Sequence, residues 1–177
     1  MIDDSEPSFA RVLGLVRDVP DYPHPGILFR DITPVLADAE AFATLTTELA
    51  SFVGDADIVV GIEARGFLLG AAVAVVASTG IVPVRKAGKL PCVAAARTYD
   101  LEYGTATLEL PADTVIPGAR AFVVDDVLAT GGTAAATCAL LADVGAEVIG
   151  VGVLMELTAL GGRARLGDID VHALLGM

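Results

Sequence analysis

Two adjacent carboxylates, Asp125 and Asp126, directly follow the apolar run Ala121-Phe122-Val123-Val124, and the turn Thr130-Gly131-Gly132-Thr133 lies shortly after them. An ionised carboxylate only accepts hydrogen bonds, so a pair of them suits the neighbouring hydroxyls of a sugar. A glycine-bearing turn that opens a helix presents backbone N–H groups, and the helix start adds partial positive charge that attracts phosphate. Acids and turn together describe a cradle for a sugar phosphate, with Asp125 and Asp126 toward ribose hydroxyls and Thr130 to Thr133 toward the terminal phosphate. One alternative stays open at this point: Thr130 or Thr133 merely caps the helix, and the acids are solvated.

Cations are concentrated elsewhere in the chain. Its 177 residues carry a net charge of −12, yet Ala64 to Tyr99 contains no Asp or Glu while holding Arg65, Arg85, Lys86, Lys89 and Arg97. A basic stretch in an acidic protein suits a small polyanion, although chance in an apolar region would also produce one. Arg65 stands in Glu63-Ala64-Arg65-Gly66, a second strand-to-helix turn, where it either holds an anion beside the helix start or pairs with Glu63. The overall charge argues against nucleic acid or an anionic membrane surface as partner. His24 and His172 have no neighbouring ligands. Cys92 and Cys138 match neither Cys-x-x-Cys nor zinc spacing, so both are expected as reduced thiols. Gly88-Lys89 lacks the rest of a P-loop, and no G-x-G-x-x-G follows a strand.

The elements that must position these residues follow from the pattern. Phe9, Val12, Leu13 and Val16 mark an amphipathic helix over residues 5–17, and the proline-rich stretch 20–26 a stiff connector. Residues 27–34 read either as a lid or as an edge strand. Asp38 is placed to cap a helix reaching Phe52, with Phe42, Leu45, Leu49 and Phe52 on one face. Buried strands are expected at 57–62, 81–85, 121–124, 147–157 and 169–174, a half-exposed strand at 105–110, and helices after Arg65 and Gly131. Residues 86–104 read as one long loop of the kind that forms functional lids. Gly66 to Val84 is uncharged, but Ser78-Thr79-Gly80 and Pro83 divide it into a helix and a strand rather than a membrane span. The result is a single α/β domain over residues 1–177, with a mostly parallel central sheet flanked by helices.

Four motifs then match a known family in order: Pro23-His24-Pro25-Gly26-Ile27-Leu28-Phe29-Arg30-Asp31; Glu63-Ala64-Arg65-Gly66-Phe67; Arg85-Lys86-Ala87-Gly88-Lys89-Leu90-Pro91 with Leu101-Glu102-Tyr103-Gly104; and Val124-Asp125-Asp126-Val127-Leu128-Ala129-Thr130-Gly131-Gly132-Thr133. From about Val16 to Leu174 the chain resembles the adenine phosphoribosyltransferases, which are type I phosphoribosyltransferases. The resemblance implies a small hood segment at about 19–35 and a mobile catalytic loop at about 86–104. It implies transfer of phosphoribose from 5-phosphoribosyl 1-pyrophosphate to adenine, with Mg²⁺ carried on the pyrophosphate, by a cytoplasmic homodimer. By the same resemblance Asp125 and Asp126 hold the ribose, and Ala129, Thr130, Gly131, Gly132 and Thr133 hold the 5′-phosphate. Arg65, Lys86 and Lys89 face the pyrophosphate, the backbone of Leu28 and Arg30 reads the adenine edge, and Phe29 and Val127 line the ring.

Hypoxanthine-using relatives tend to carry an Asp where this chain has Ala129, so the resemblance moves proton transfer to Glu102 on the loop. The stretch Cys92-Val93-Ala94-Ala95-Ala96-Arg97 departs from the more polar residues common in the family and leaves the role of Arg97 open. Two alternatives to adenine transfer stand: a different purine base, or a non-catalytic regulator binding the same sugar phosphate. Such regulators usually carry a basic DNA-binding segment, and none is visible. The acidic N-terminus lacks a basic-then-apolar signal pattern, which is also the expectation for a cytoplasmic protein.

Overall fold

The computed structural model describes residues 5–100 and 104–177, and the chain divides into two compact units, Met1–Glu48 and Leu49–Met177. In the first, helix α1 (Ser5–Leu15) precedes strands β1 (Arg17–Pro20) and β2 (Leu28–Asp31). The strands pair antiparallel, Arg17 opposite Asp31 and Pro20 opposite Leu28, so residues 28–31 are strand and the edge-strand alternative holds. Between them the chain reverses at Asp21 and Gly26, both at positive φ, and the Gly26 N–H donates to Asp21 Oδ1 at 2.7 Å. A short helix α2 (Thr33–Ala37) is followed by α3 (Ala39–Ser51). Asp38 caps α3 as expected, accepting the Ala41 N–H at 2.9 Å. The buried face of α3 differs from expectation: Ala41, Leu45 and Leu49 are buried, four residues apart, whereas Phe52 lies past the helix end and is 37% exposed.

The second unit is built on a seven-stranded sheet in the order β5-β6-β4-β3-β7-β8-β9. Its strands are β3 (Ile58–Ile62), β4 (Gly80–Lys86), β5 (Val93–Asp100), β6 (Thr105–Pro111), β7 (Arg120–Leu128), β8 (Glu147–Glu156) and β9 (Val171–Gly176). From β4 to β9 the neighbours are parallel, and β6 joins β4 and β5 antiparallel. The continuous apolar runs have the cause expected of them. Val60, Ile62, Val123 and Val151 face helix α5 (Gly132–Asp143), whose Leu140 and Leu141 are fully buried in the same cluster. Helix α4 (Arg65–Val76) packs on the other face, where Phe122 lies over Gly150 and Gly152 so closely that a Cβ on either would meet its ring. His172 belongs to this packing, stacked on Phe52 at 4.3 Å between centroids.

Two segments differ from the sequence expectation. Residues 93–100, read as part of one long loop, form β5 and pair with β6 from Val93 opposite Pro111 to Asp100 opposite Thr105. Strand β7 does not stop at the acids but continues to Leu128, because β8 supplies partners for Asp125, Val127 and Leu128 after the pairing with β3 has ended at Val124. Among the described residues no helix is long and apolar enough to cross a membrane, and the uncharged stretch 66–84 is divided between α4 and β4.

Candidate active site

The parallel register aligns the carboxyl ends of β4, β3 and β7, since Gly61 lies opposite both Pro83 and Val124. Open α/β sheets bind ligands at this edge. Along it stand Lys86 at the end of β4, Glu63 and Arg65 after β3, and Asp125 and Asp126 in the stretch of β7 that β3 no longer covers.

Helix α4 reaches this edge because glycines let it lie almost on the strands. A Cβ on Gly61 would sit 2.8 Å from the Gly66 carbonyl oxygen, and one on Gly66 would sit 2.7 Å from that of Val124 and 2.9 Å from Asp125 Oδ1. That approach brings Arg65 to the acids, with Nη2 3.0 Å from Asp126 Oδ2. Arg65 therefore pairs with Asp126. Asp125 Oδ1 accepts the backbone N–H of Asp126 at 2.9 Å. Burial, followed by the carboxylate of Asp126, pushes the Asp125 carboxyl well above the usual range. Asp126 is also raised by burial, against the opposing pull of Arg65.

Beyond the acids the chain makes the turn that the sequence suggested. Gly131 begins α5 at φ 80°, and no side chain caps the helix. The capping alternative for Thr130 and Thr133 is thereby removed, and the first-turn N–H groups face a cavity of about 80 Å³ lined by Asp125 and residues 127–134. Ala129, Thr130, Gly131, Gly132, Thr133 and Val127 are thus gathered in one place. Gly162, which the sequence showed only as part of a polar turn, closes the cradle from behind. A Cβ on Gly131 would collide with its carbonyl oxygen, and a Cβ on Gly162 would collide with that of Ala129. The doubled glycine at 161–162 was the only available signal of this.

The cations are less uniform than their sequence clustering suggested. Lys89 Nζ pairs with Glu63 Oε1 at 2.7 Å, Arg85 Nε lies 3.4 Å from Glu63 Oε2, and the Lys86 backbone N–H donates to the same carboxylate at 3.0 Å. Lys89, first among these, holds the Glu63 carboxyl below its ordinary value against the cost of burial. Arg97 stands apart, its Nη2 on both oxygens of Asp143 at 3.0 and 2.9 Å.

In the first unit, among the described residues, β2 pairs only with β1 and its other edge joins no ladder. Leu28 is 45% exposed, Arg30 pairs with Asp18, and the Phe29 ring meets Tyr22 edge-on at 5.1 Å. Glu102 lies outside the described residues. Among those described, no group of three or more His, Cys, Asp or Glu is placed to hold a metal by itself.

The sheet, the acid pair and the glycine turn at its carboxyl edge lie within residues 35–173, which match the family model described as phosphoribosyl transferase domain. An adenine phosphoribosyltransferase of Saccharopolyspora erythraea is 54% identical over 175 residues, 99% of this chain and 96% of its own. The crystal structure of adenine phosphoribosyltransferase from Thermoanaerobacter pseudethanolicus superposes with a TM-score of 0.91 at 44% identity, covering 95% of this chain and 99% of its own. That of Saccharomyces cerevisiae, complexed with an imino-altritol bisphosphate and adenine, gives 0.90 at 35% identity over 96% and 99%. The chain belongs to the adenine phosphoribosyltransferase family.

Proposed function

We propose that the protein transfers the 5-phosphoribosyl group of 5-phosphoribosyl 1-pyrophosphate to adenine, forming AMP and pyrophosphate in purine salvage. The observation that carries this reading is the uncapped start of α5 at Gly131 beside the acid pair, in a chain similar along nearly its whole length to adenine phosphoribosyltransferases. The bond from the ribose anomeric carbon to pyrophosphate oxygen breaks, a bond to adenine nitrogen forms, and that nitrogen loses its proton.

The chain's residues divide this work. Thr130 to Thr133, with Ala129, hold the 5′-phosphate through backbone N–H groups and hydroxyls. Asp125 and Asp126 accept from the ribose hydroxyls, and their negative charge suits the cation-like carbon of the transition state. Arg65, Lys86 and Lys89 take the leaving pyrophosphate. The backbone of Leu28 and Arg30 reads the adenine edge, and Phe29 and Val127 flank the ring. Mg²⁺ arrives as part of the substrate, on its pyrophosphate, where it neutralises charge that builds on the departing group. The acids at 125 and 126 are hard oxygen donors that suit such an ion through its water shell.

The test is incubation with 5-phosphoribosyl 1-pyrophosphate, Mg²⁺ and each of adenine, hypoxanthine, guanine and xanthine. Adenine alone should be turned over efficiently, and turnover of hypoxanthine without adenine would reject the reading. Binding of the sugar phosphate with no pyrophosphate release would favour a regulator. Glu102 accepts the adenine proton in this scheme. Glu102→Gln should lower the single-turnover rate by about 100-fold with sugar-phosphate affinity nearly unchanged, and an unchanged rate removes Glu102 from the chemistry.

The protein works as one phosphoribosyltransferase domain in a cytoplasmic homodimer. Cys92 and Cys138 are free thiols, in keeping with a reducing compartment. Support for the dimer comes from α4, whose outward side presents Leu68, Val75 and Val76 at 55, 78 and 52% exposure, an apolar stripe suited to a second copy. Sedimentation should give twice the chain mass, and Val75→Asp should shift it toward one chain; a monomeric unchanged protein rejects the dimer.

A further inference from the structure

Strand β5 lies at the edge of the sheet, with only β6 as ladder partner. Its attachment to α5 rests on two polar bridges. Arg97 reaches Asp143 at the last residue of α5, and the Tyr99 hydroxyl lies 3.1 Å from Thr133 Oγ1 in its first turn. Between the bridges is a cavity of about 240 Å³, floored by Ala135, Ala136 and Ala139. Those side chains are too short to fill it, so burial there adds little beyond the packing of Ala95 and Tyr99 against the core, and the bridges count for more.

The second bridge ends on a residue of the phosphate cradle. A threonine hydroxyl has one proton to give and lone pairs to receive, while a phosphate only accepts. In the ligand-free protein either hydroxyl of the Tyr99–Thr133 pair can be the donor. A phosphate in the cradle takes the Thr133 proton, which leaves Thr133 Oγ1 able only to receive the proton of Tyr99. The chain of donors then runs Tyr99 to Thr133 to phosphate, and each bond polarises the next.

We propose that Tyr99 is a positioning residue through which occupation of the phosphate cradle fixes the edge strand β5 against α5. The inference rests on the cradle reading given above. It assigns to phosphate a second effect besides anchoring the sugar: the ligand's own anion steadies the strand at the edge of the sheet. Arg97 supplies the other attachment without responding to ligand, because Asp143 lies at the opposite end of the helix from the cradle.

The experiment uses the full chain and ribose 5-phosphate as probe, with affinity from calorimetry and amide hydrogen exchange read over residues 94–99. In the unchanged protein, bound ribose 5-phosphate should slow exchange there by about tenfold, the scale of one reinforced hydrogen bond. Tyr99→Phe should keep affinity within about threefold yet lose that slowing, and at saturating substrates its kcat should fall by about tenfold with little change in KM for 5-phosphoribosyl 1-pyrophosphate. Thr133→Ser, which retains the hydroxyl, should preserve the slowing. Arg97→Gln should speed exchange in free and bound forms alike, leaving the ligand-dependent gain intact. Equal slowing in Tyr99→Phe, or no slowing in the unchanged protein despite binding, overturns the inference alone. Failure of the unchanged protein to bind ribose 5-phosphate overturns the cradle reading and the inference with it.

Discussion

Asp125→Asn should unfold at a higher temperature than the unchanged protein near neutral pH while binding 5-phosphoribosyl 1-pyrophosphate about 100-fold more weakly. Both effects come from the same carboxyl. Burial and the Asp126 carboxylate raise Asp125 well above its ordinary value, so the folded protein holds this proton more tightly than the unfolded chain does. Stability from the group is fully present below the unfolded value and is lost as pH rises through the folded one. Asparagine does not titrate and is not subject to that loss, and its side-chain oxygen can still accept the Asp126 N–H that Asp125 accepts now. The gain should be largest at neutral and alkaline pH and should shrink as the pH falls toward the ordinary carboxylate range. The affinity loss reflects a carboxyl that is acceptor-only once ionised exchanged for an amide that always donates as well, facing sugar hydroxyls. Thermal melts across pH together with calorimetric titration check both halves. A variant with a lower melting temperature at neutral pH, or with full affinity, would count against the acid pair as a strained binding device.

Gly131→Ala should abolish useful affinity for the sugar phosphate, raising KM by more than about 100-fold, and should destabilise the fold by about 2–4 kcal/mol. Two costs add. The residue sits at φ 80°, where an L side chain is strained, and its new Cβ would collide with the Gly162 carbonyl oxygen. Relief by moving Gly162 is blocked, since that residue is itself packed against Ala129 on the same turn. The turn must open, and the N–H groups of the first turn of α5 no longer converge. Gly118→Ala separates the two costs, because Gly118 has φ 85° but nothing within 4 Å of an added Cβ. It should lose about 1–2 kcal/mol of stability and keep its KM. Near-normal KM in Gly131→Ala would show that the turn tolerates displacement and is not the phosphate site.

The sequence was informative where local pattern and function coincide. The run at 121–124, the acids after it and the glycine turn announce themselves because a parallel strand is apolar on both faces and its end must turn polar. The length of β7 was not legible, since Asp125 to Leu128 are held in strand by β8, a partner distant in sequence. Strand β5 was hidden for a related reason: Val93 to Arg97 is mostly alanine, and its extended form depends on pairing with β6. Arg65 and Lys89 were recognisable as cations near an anion site, but their choice of Asp126 and Glu63 was not, because that depends on how closely α4 settles on the sheet. Gly162 supports a turn 31 residues away, a contact no local pattern encodes.

The carboxylate of Glu63, held between Lys89 and Arg85, has a consequence for the end of the reaction cycle. On the proposed reading, a product anion that takes Lys89 from Glu63 would leave an ionised, nearly buried acid without its best counter-ion. Glu63 is then a resident competitor, always present at the highest local concentration, that reclaims the lysine as soon as the departing anion loosens its hold. A site lined by cations alone would cling to its inorganic product and turn over slowly. Under that reading, the internal acid would make the grip on a multiply charged anion firm enough to align it and weak enough to let it go.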